Sequence, residues 1–412
     1  MRKRMRRKRM NRRRTKMEVW RAAQEEAARE HFEQMLAGLA DPRRRQGVRY
    51  PLRTVVVVAL MAMVCGADDA EGMQRWGEAN EEWLSGFLEM PHGPPTQDVF
   101  LRVLGALDPE ALRAVIQSWV ELLRARLAGA PEHVAIDGKT CRGSRDRGSG
   151  KAALHMVNAW LVEANLVLGQ LPTRKKSNEL RAIPELVRVL DLSGALVTVD
   201  AMGTHRSVAE AIVEQGGDYL LAVKENQPTL YRDVAASFED ALDERPRALD
   251  RDPALVVERW SDTDGGHGRI EEREVYVIRD LSWLTTQERW SELSYIVMTV
   301  CRRTELSTGK ESREVRYFIG SERARRMSIE RIAAGIRGHW SIENQLHWVL
   351  DVGFSEDRLR HRAHHCAENM AALRQLALSL LKQEKTCRLG ISNKRKLAGW
   401  DRSYLLRVLV GV

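Results

Sequence analysis

At Pro131 the spacing of apolar residues changes from helical to extended, and the order of elements after it constrains the fold more than any other feature. His133-Val134-Ala135-Ile136 is a short apolar strand running straight into Asp137-Gly138-Lys139. Leu154 to Val162 and Leu166 to Leu171 read as a hairpin joined at Glu163-Ala164-Asn165. A helix follows from about Asn178 to Leu190, then a strand (Ala195 to Val199) that ends at Asp200-Ala201-Met202-Gly203. Arg206 to Glu214 is helical, and Asp218 to Val223 is strand again, before Lys224-Glu225-Asn226-Gln227-Pro228. Three strands, helix, strand, helix, strand imply a mixed sheet with helices packed on its faces, an α/β fold.

The flanks have other textures. Residues 17–130 read as an N-terminal helical domain: a buried helix from Pro51 to Cys65, a polar one carrying Trp76 and Trp83, one capped by Thr96, and one from Pro109 to Leu127. Such helices suit either a DNA-reading helix-turn-helix or a bundle packed on the next domain. Residues 131–227 form the first part of the α/β core. Residues 228–325 hold a helix (Leu230 to Leu242), a charged linker and four strand-like segments, Ala254–Trp260, Arg269–Ile278, Leu293–Cys301 and Glu314–Ile319, a β-rich insertion. Helical spacing resumes over 326–385, including Asn369 to Leu381, and 386–412 read as a basic, poorly patterned tail.

The net charge of +9 suggests nucleic acid until its location is considered. Residues 1–16 hold eleven Arg or Lys and no acid; without them 55 basic residues face 57 acidic ones. That basic tail is either an arm gripping phosphates or sequence ahead of a start at Met17, and any basic surface in the body is local. Five scattered cysteines with no CxxC indicate a reducing compartment. No apolar segment follows the charged start, and Val55 to Cys65 is too short to span a bilayer, so the expectation is a cytoplasmic, nucleoid-associated protein without a membrane partner.

Two aspartates, Asp137 and Asp200, close strands that the element order permits to be parallel neighbours. Carboxylates that close repel unless a cation lies between them, and oxygen-only ligation suits Mg²⁺, with Mn²⁺ as the alternative. A third candidate stands on a helical stretch, Gly338 to Asp351, whose apolar face is Ile342, Leu346, Val349 and Leu350. Glu343 lies at the edge of that face, followed by His347 and Asp351 at i+4 and i+8. Three carboxylates so placed fit a two-metal site for phosphoryl transfer. On the residues alone, turn-forming aspartates and a boundary glutamate fit equally.

Ile136-Asp137-Gly138-Lys139, Ser177-Asn178-Glu179, Val199-Asp200-Ala201-Met202-Gly203 and His339-Trp340-Ser341-Ile342-Glu343-Asn344 resemble the DDE transposases of bacterial insertion sequences, in the subgroup that includes the H-repeat-associated proteins. Tyr219 with Lys224 to Gln227, His267 to Glu271, and Leu350-Asp351-Val352 with Glu356-Asp357 match that subgroup as well, and the resemblance covers about residues 35–385. It implies a ribonuclease-H-like core interrupted by a β-rich insertion, with Asp137, Asp200 and Glu343 as catalytic metal ligands. It implies cleavage at the element's terminal inverted repeats, strand transfer into target DNA, and a homodimer on DNA. The Tyr, Arg and Lys that the wider superfamily carries around its glutamate fall at Ile336, His339 and Leu350 here, so none is kept. Two alternatives are an inactive DNA-binding relic of a mobile element and a nuclease of the same core fold without strand transfer.

Lys139, Arg142, Lys224 and His347 lie near the carboxylates in sequence or topology and are the expected DNA contacts. Trp340 and Trp348 read as core residues, and the His361, His364, His365 and Cys366 cluster as a basic loop rather than a zinc site.

Overall fold

Described in the computed structural model are residues 26, 29–30, 32–44, 46, 48–126, 132–146, 148, 150–173, 179–242, 256–266, 268–284, 286–323 and 326–410. The basic tail (1–16), Ser177, Asn178 and His267 lie outside them. Helices come first in the chain. In α1 (Leu52–Val64) every residue but Arg53 is buried, and Pro51 caps its start. Asp69 caps α2 (Ala70–Ala79) by accepting from Gly72 N, and a short α3 (Glu81–Leu84) follows. Thr96 occupies the cap position of α4 (Gln97–Ala106) but its hydroxyl makes no cap bond; the Gln97 amide donates to Gln74 Oε1 at 2.7 Å instead. Asp108 caps α5 (Pro109–Ala125), with Pro109 at the first position, where its missing N–H costs nothing.

β1 (His133–Cys141), β2 (Leu154–Leu161) and β3 (Leu166–Thr173) form an antiparallel meander. Then come α6 (Glu179–Arg188), β4 (Leu196–Val199), α7 (Arg206–Glu214), β5 (Asp218–Val223) and α8 (Pro228–Leu242). β4 and β5 run parallel to β1. The strand order 3-2-1-4-5 with this polarity is the ribonuclease-H-like core. One expectation is corrected: Asp137 does not end its strand. β4 pairs with β1 only as far as Ile136, but β2 is long enough to carry β1 on to Cys141.

β6 (Val257–Gly266), β7 (Arg269–Ile278), β8 (Leu293–Glu305) and β9 (Glu311–Ser321) form a meander where the sequence reads as β-rich. β9 pairs antiparallel with β5 through Leu220↔Gly320 to Val223↔Tyr317, so these strands continue the core sheet. Among the described residues the result is one nine-stranded sheet, β3-β2-β1-β4-β5-β9-β8-β7-β6. α9 (Ile329–His339) follows, then a π-helical turn (Ile342–His347), α10 (Trp348–Gly353) and α11 (Cys366–Gln383). α11 lies in a single hydrophobic cluster with the N-terminal helices, and Asn369 Nδ2 donates to Leu104 O and Leu107 O at the end of α4.

The segment after 385 is not a loose tail. It folds into α12 (Ile391–Trp400) and α13 (Arg402–Val410), and Tyr404, Leu405, Leu406, Val408 and Leu409 are buried. Its pattern is obscured because α12 turns Lys394 and Arg395 inward. Arg395 donates to Met63 O at the end of α1, to Gly353 O at the end of α10 and to Asp68, and lies 4.0 Å from the Phe354 ring centre. One guanidinium thereby satisfies the carbonyl ends of two helices. Arg395→Ala is expected to destabilise the fold by about 3 kcal/mol, because Asp68 and two carbonyls lose their partner. Trp400→Ala, at 79% exposure, should change stability by less than about 0.5 kcal/mol. Thermal midpoints of the two variants check this.

Candidate functional site

The register of β1 on β4 builds the site. Ile136 pairs with Val199 in parallel, so the residues that follow them, Asp137 within β1 and Asp200 just past β4, stand at the same level. Past that point β1 continues while β4 stops. Asp200 turns the chain by accepting from Gly203 N at 3.0 Å. Thr204 Oγ1 lies 3.1 Å from Asp200 O and 2.6 Å from Ala222 O. Asn226 Nδ2 donates to Ala201 O, and Gln227 Nε2 to Thr204 O. The Lys224-Glu225-Asn226-Gln227 motif therefore holds the Asp200 loop in place.

Glu343 arrives on the π-helical turn. There the Trp348 amide bonds back five residues to Glu343 O, widening the turn by one residue. Ile342, Leu346, Val349 and Leu350 are buried as the apolar pattern requires. His347, 4% exposed, is packed against β1 and β2. Its Nδ1 lies 3.0 Å from Glu343 Oε2 and 3.6 Å from Asp137 Oδ2. Its Nε2 faces Asn158 Nδ2 at 3.4 Å, while Asn158 Oδ1 accepts from Gln375 Nε2 at 2.8 Å. An amide that donates to Nε2 leaves the ring proton on Nδ1, pointing at the carboxylates.

Asp137, Glu343 and His347 each bring a ligand atom within 4.8 Å of the others. Asp200 stands outside that tight group, although its charge acts on Asp137. Burial pushes the Asp137 carboxyl up to about 6; His347 opposes this, and Asp200 and Glu343 add to it. Glu343 is held below the usual carboxylate range, first by the hydrogen bond from His347. A half-sheltered carboxylate under pressure from two others is a donor set that a divalent cation would relieve. The oxygens of Asp137, Asp200 and Glu343 suit a hard cation, and His347, with its Nδ1 proton facing inward, serves them as a donor.

Behind Asp200 a buried line of groups was not legible in advance. His133 Nε2 lies 2.8 Å from Thr198 Oγ1, which lies 3.0 Å from His339 Nδ1. Burial lowers both histidines, His133 to about 3, with His339 held up in part by Asp200. Asn158 was missed as well, though it left a signal as the one amide in an otherwise apolar run of β2.

The expected DNA contacts separate. Lys224 is exposed and lines an open groove of about 580 Å³ that runs from Asp200 past Asn226 and Tyr231 to Arg316 and Tyr317. The Arg142 side chain is 82% exposed. Lys139 and His347 are buried, Lys139 against Asp351, Glu356 and Asp357. Trp340 and Trp348 are not core residues: they are 51% and 59% exposed, and Arg316 covers the Trp340 ring at 5.2 Å. His361 and Cys366 are buried and join no group of metal-ligating side chains among the described residues. Nor is any described helix long and apolar enough to cross a membrane.

Residues 128–380 match the family described as Transposase DDE domain, and residues 32–120 match the domain described as DDE_Tnp_1-associated. "Putative transposase YncI" of Escherichia coli O157:H7 is 33% identical over 379 residues, covering 90% of this chain and 92% of that protein. "H repeat-associated putative transposase YhhI" of Escherichia coli (strain K12) is 32% identical over 377 residues, 90% of this chain and 96% of that protein. A solved structure, the piggyBac transposase synaptic complex with hairpin DNA, aligns over 91% of this chain and 80% of that one at 10% identity and a TM-score of 0.41.

The Asp137 environment carries a stability cost whose sign is fixed. Its folded pKa of about 6 exceeds the 3.8 of an exposed carboxyl. The cost is therefore full above about pH 6, fades as pH falls, and is gone below about pH 4. Asp137→Asn keeps an oxygen for the Gly138 amide but removes the charge. In EDTA, the variant should melt above the wild type near pH 8, and the difference should shrink toward about pH 5. Calorimetry across that range checks it.

Proposed function

The chain belongs to the transposase DDE domain family, and from that premise we propose that it cuts DNA at the terminal inverted repeats of its element and joins the freed ends to target DNA. The observation that carries this reading is the parallel pairing of Ile136 with Val199, which sets Asp137 and Asp200 at one level of the sheet, with Asp137 under the charge of both Asp200 and Glu343. Asp137, Asp200 and Glu343 are the proposed catalytic residues and metal ligands, for Mg²⁺ or Mn²⁺. The family implies a divalent metal. Bound there, it would supply the charge that eases deprotonation of water or a 3′-hydroxyl and release of the leaving oxygen.

The chain's own groups prepare that step. His347 holds the Glu343 carboxylate by a hydrogen bond and faces Asp137. The Asp200 loop is fixed by Asn226 and Gln227. The groove beside Asp200 has Lys224 and Arg316 on its walls, with Glu225 and Glu314 beside them and Glu314 pairing Arg316; exposed Lys224 is the proposed phosphate contact there, with the scissile phosphate at the carboxylates. Exposed Arg142 at the end of β1 adds a further phosphate contact. Residues 17–130 are assigned to recognition of the element's ends, and residues 131–227 and 326–385 to the catalytic core. The strands within 228–325 form one wall of the groove. Two ends must be held together, so a homodimer on DNA is the proposed working state.

Asp137→Ala, Asp200→Ala and Glu343→Ala should each abolish Mg²⁺-dependent cleavage of a duplex carrying the inverted repeat. DNA affinity should stay within about twofold, since these groups act in the transition state rather than in binding. Full cleavage by any one variant removes that residue from the assignment. Cleavage without joining to a target duplex would favour a nuclease, and binding without cleavage by the wild type a relic.

A further inference from the structure

We infer that Lys139 is a positioning residue, whose ammonium grips Asp351 and thereby fixes the segment bearing Glu343 against the strand bearing Asp137. This rests on the reading of Asp137 and Glu343 as metal ligands. Side chains two apart on a strand share a face, so Lys139 leaves β1 on the same side as Asp137. Its side chain is 7% exposed and its Nζ lies 2.6 Å from Asp351 Oδ1, 3.7 Å from Glu356 Oε2 and 3.8 Å from Asp357 Oδ1. Asp351 stands eight residues after Glu343 on the same helical segment. An ammonium so enclosed is unavailable to a phosphate.

The geometry between the two carboxylates explains the need for such a grip. The π-helical turn carries Glu343, and its extra residue breaks the phase that an α-helix would impose between Glu343 and Asp351. The segment is therefore held at both ends: His347 meets Glu343 and Asp137 at one, and Lys139 meets Asp351 at the other. The chain also turns back to deliver two more carboxylates to Lys139. Ser355 takes a left-handed conformation (φ 53°), rare for a residue with a Cβ, and sends Glu356 and Asp357 toward β1. Asp357 accepts from the Arg142 amide at 3.0 Å, and Arg374 lies 3.8 Å from the buried Glu356. Lys139 thus joins β1 to three carboxylates of the chain that follows Glu343, with the Arg142 amide holding Asp357 and Arg374 of α11 beside Glu356, and the Leu350-Asp351-Val352 and Glu356-Asp357 motifs gain a role.

The test measures Mn²⁺ binding to the full-length, DNA-free protein by the loss of free-ion EPR signal, alongside DNA affinity at several salt concentrations. Asp351→Asn leaves Lys139 with Glu356 and Asp357, so it keeps the fold and carries the test even if Lys139→Met unfolds. Asp351→Asn and Lys139→Met should each weaken Mn²⁺ binding about tenfold, as loss of a group that orients metal ligands does. The double variant should be no weaker than the worse single one, because both remove the Lys139–Asp351 contact. DNA affinity and its salt slope should not change. Unaltered Mn²⁺ binding in Asp351→Asn, with Asp137→Asn and Glu343→Gln impaired, overturns this inference alone. So does a Lys139→Met variant that loses DNA affinity and about one unit of salt slope, the mark of a phosphate contact. Unaltered binding in Asp137→Asn and Glu343→Gln overturns the parent reading and this inference with it.

Discussion

The pairing of Ile136 with Val199 is the constraint on which the rest depends. A slip of one residue would turn Asp137 to the other face of the sheet and separate it from Asp200. The register is protected on both sides of β1. Val134, Ala135 and Ile136 are wholly buried, so a slipped strand would bury polar groups in their place. On the second face, Gly138 has no room for a side chain, because a Cβ there would come within 2.5 Å of His155 Nε2 and Glu179 Oε1. Glu179 opens α6, and His155 on β2 also contacts Thr140. The Ser-Asn-Glu motif thus ends on a residue that pins the back of β1.

The third carboxylate depends on different physics. Strand pairing fixes Asp137 and Asp200 through the backbone, whereas Glu343 sits on a segment docked by side chains alone. Apolar burial of Leu346 and Leu350 sets its depth. The polar contacts of His347 and Lys139 set its rotation, and Arg395 ties the end of α10 to the end of α1. The N-terminal helices and the Glu343 segment are thereby joined through one buried guanidinium.

The sequence was most legible where burial and backbone pairing act together. The apolar run before Asp200 marked a strand end, whereas β1 runs past Asp137 to Cys141; strand-like segments marked part of each of the four later strands, β6 continuing through Asp264-Gly265-Gly266. Their union with the core sheet was not legible, because β5 meets β9 across about a hundred residues and neither strand encodes its partner. α12 was hidden by charge on its inner face, since Lys394 donates to Leu381 O and Glu384 O and Arg395 to Met63 O where apolar residues would ordinarily stand. Trp340 and Trp348 misled by size alone: large apolar surface predicts burial unless function exposes it. For Lys139, proximity in sequence to Asp137 suggested DNA, but its partners lie more than two hundred residues away.

Asp137, Asp200 and Glu343 are proposed to hold divalent cations between the sheet and the π-helical turn. The most direct measurement is an anomalous difference map from crystals of the protein soaked in Mn²⁺. A peak is expected about 2.1 Å from oxygens of both Asp137 and Asp200, with Glu343 within reach of the same or a second peak. A peak seated among Asp351, Glu356 and Asp357, or one bound through His347 with Asp200 left out, would contradict it.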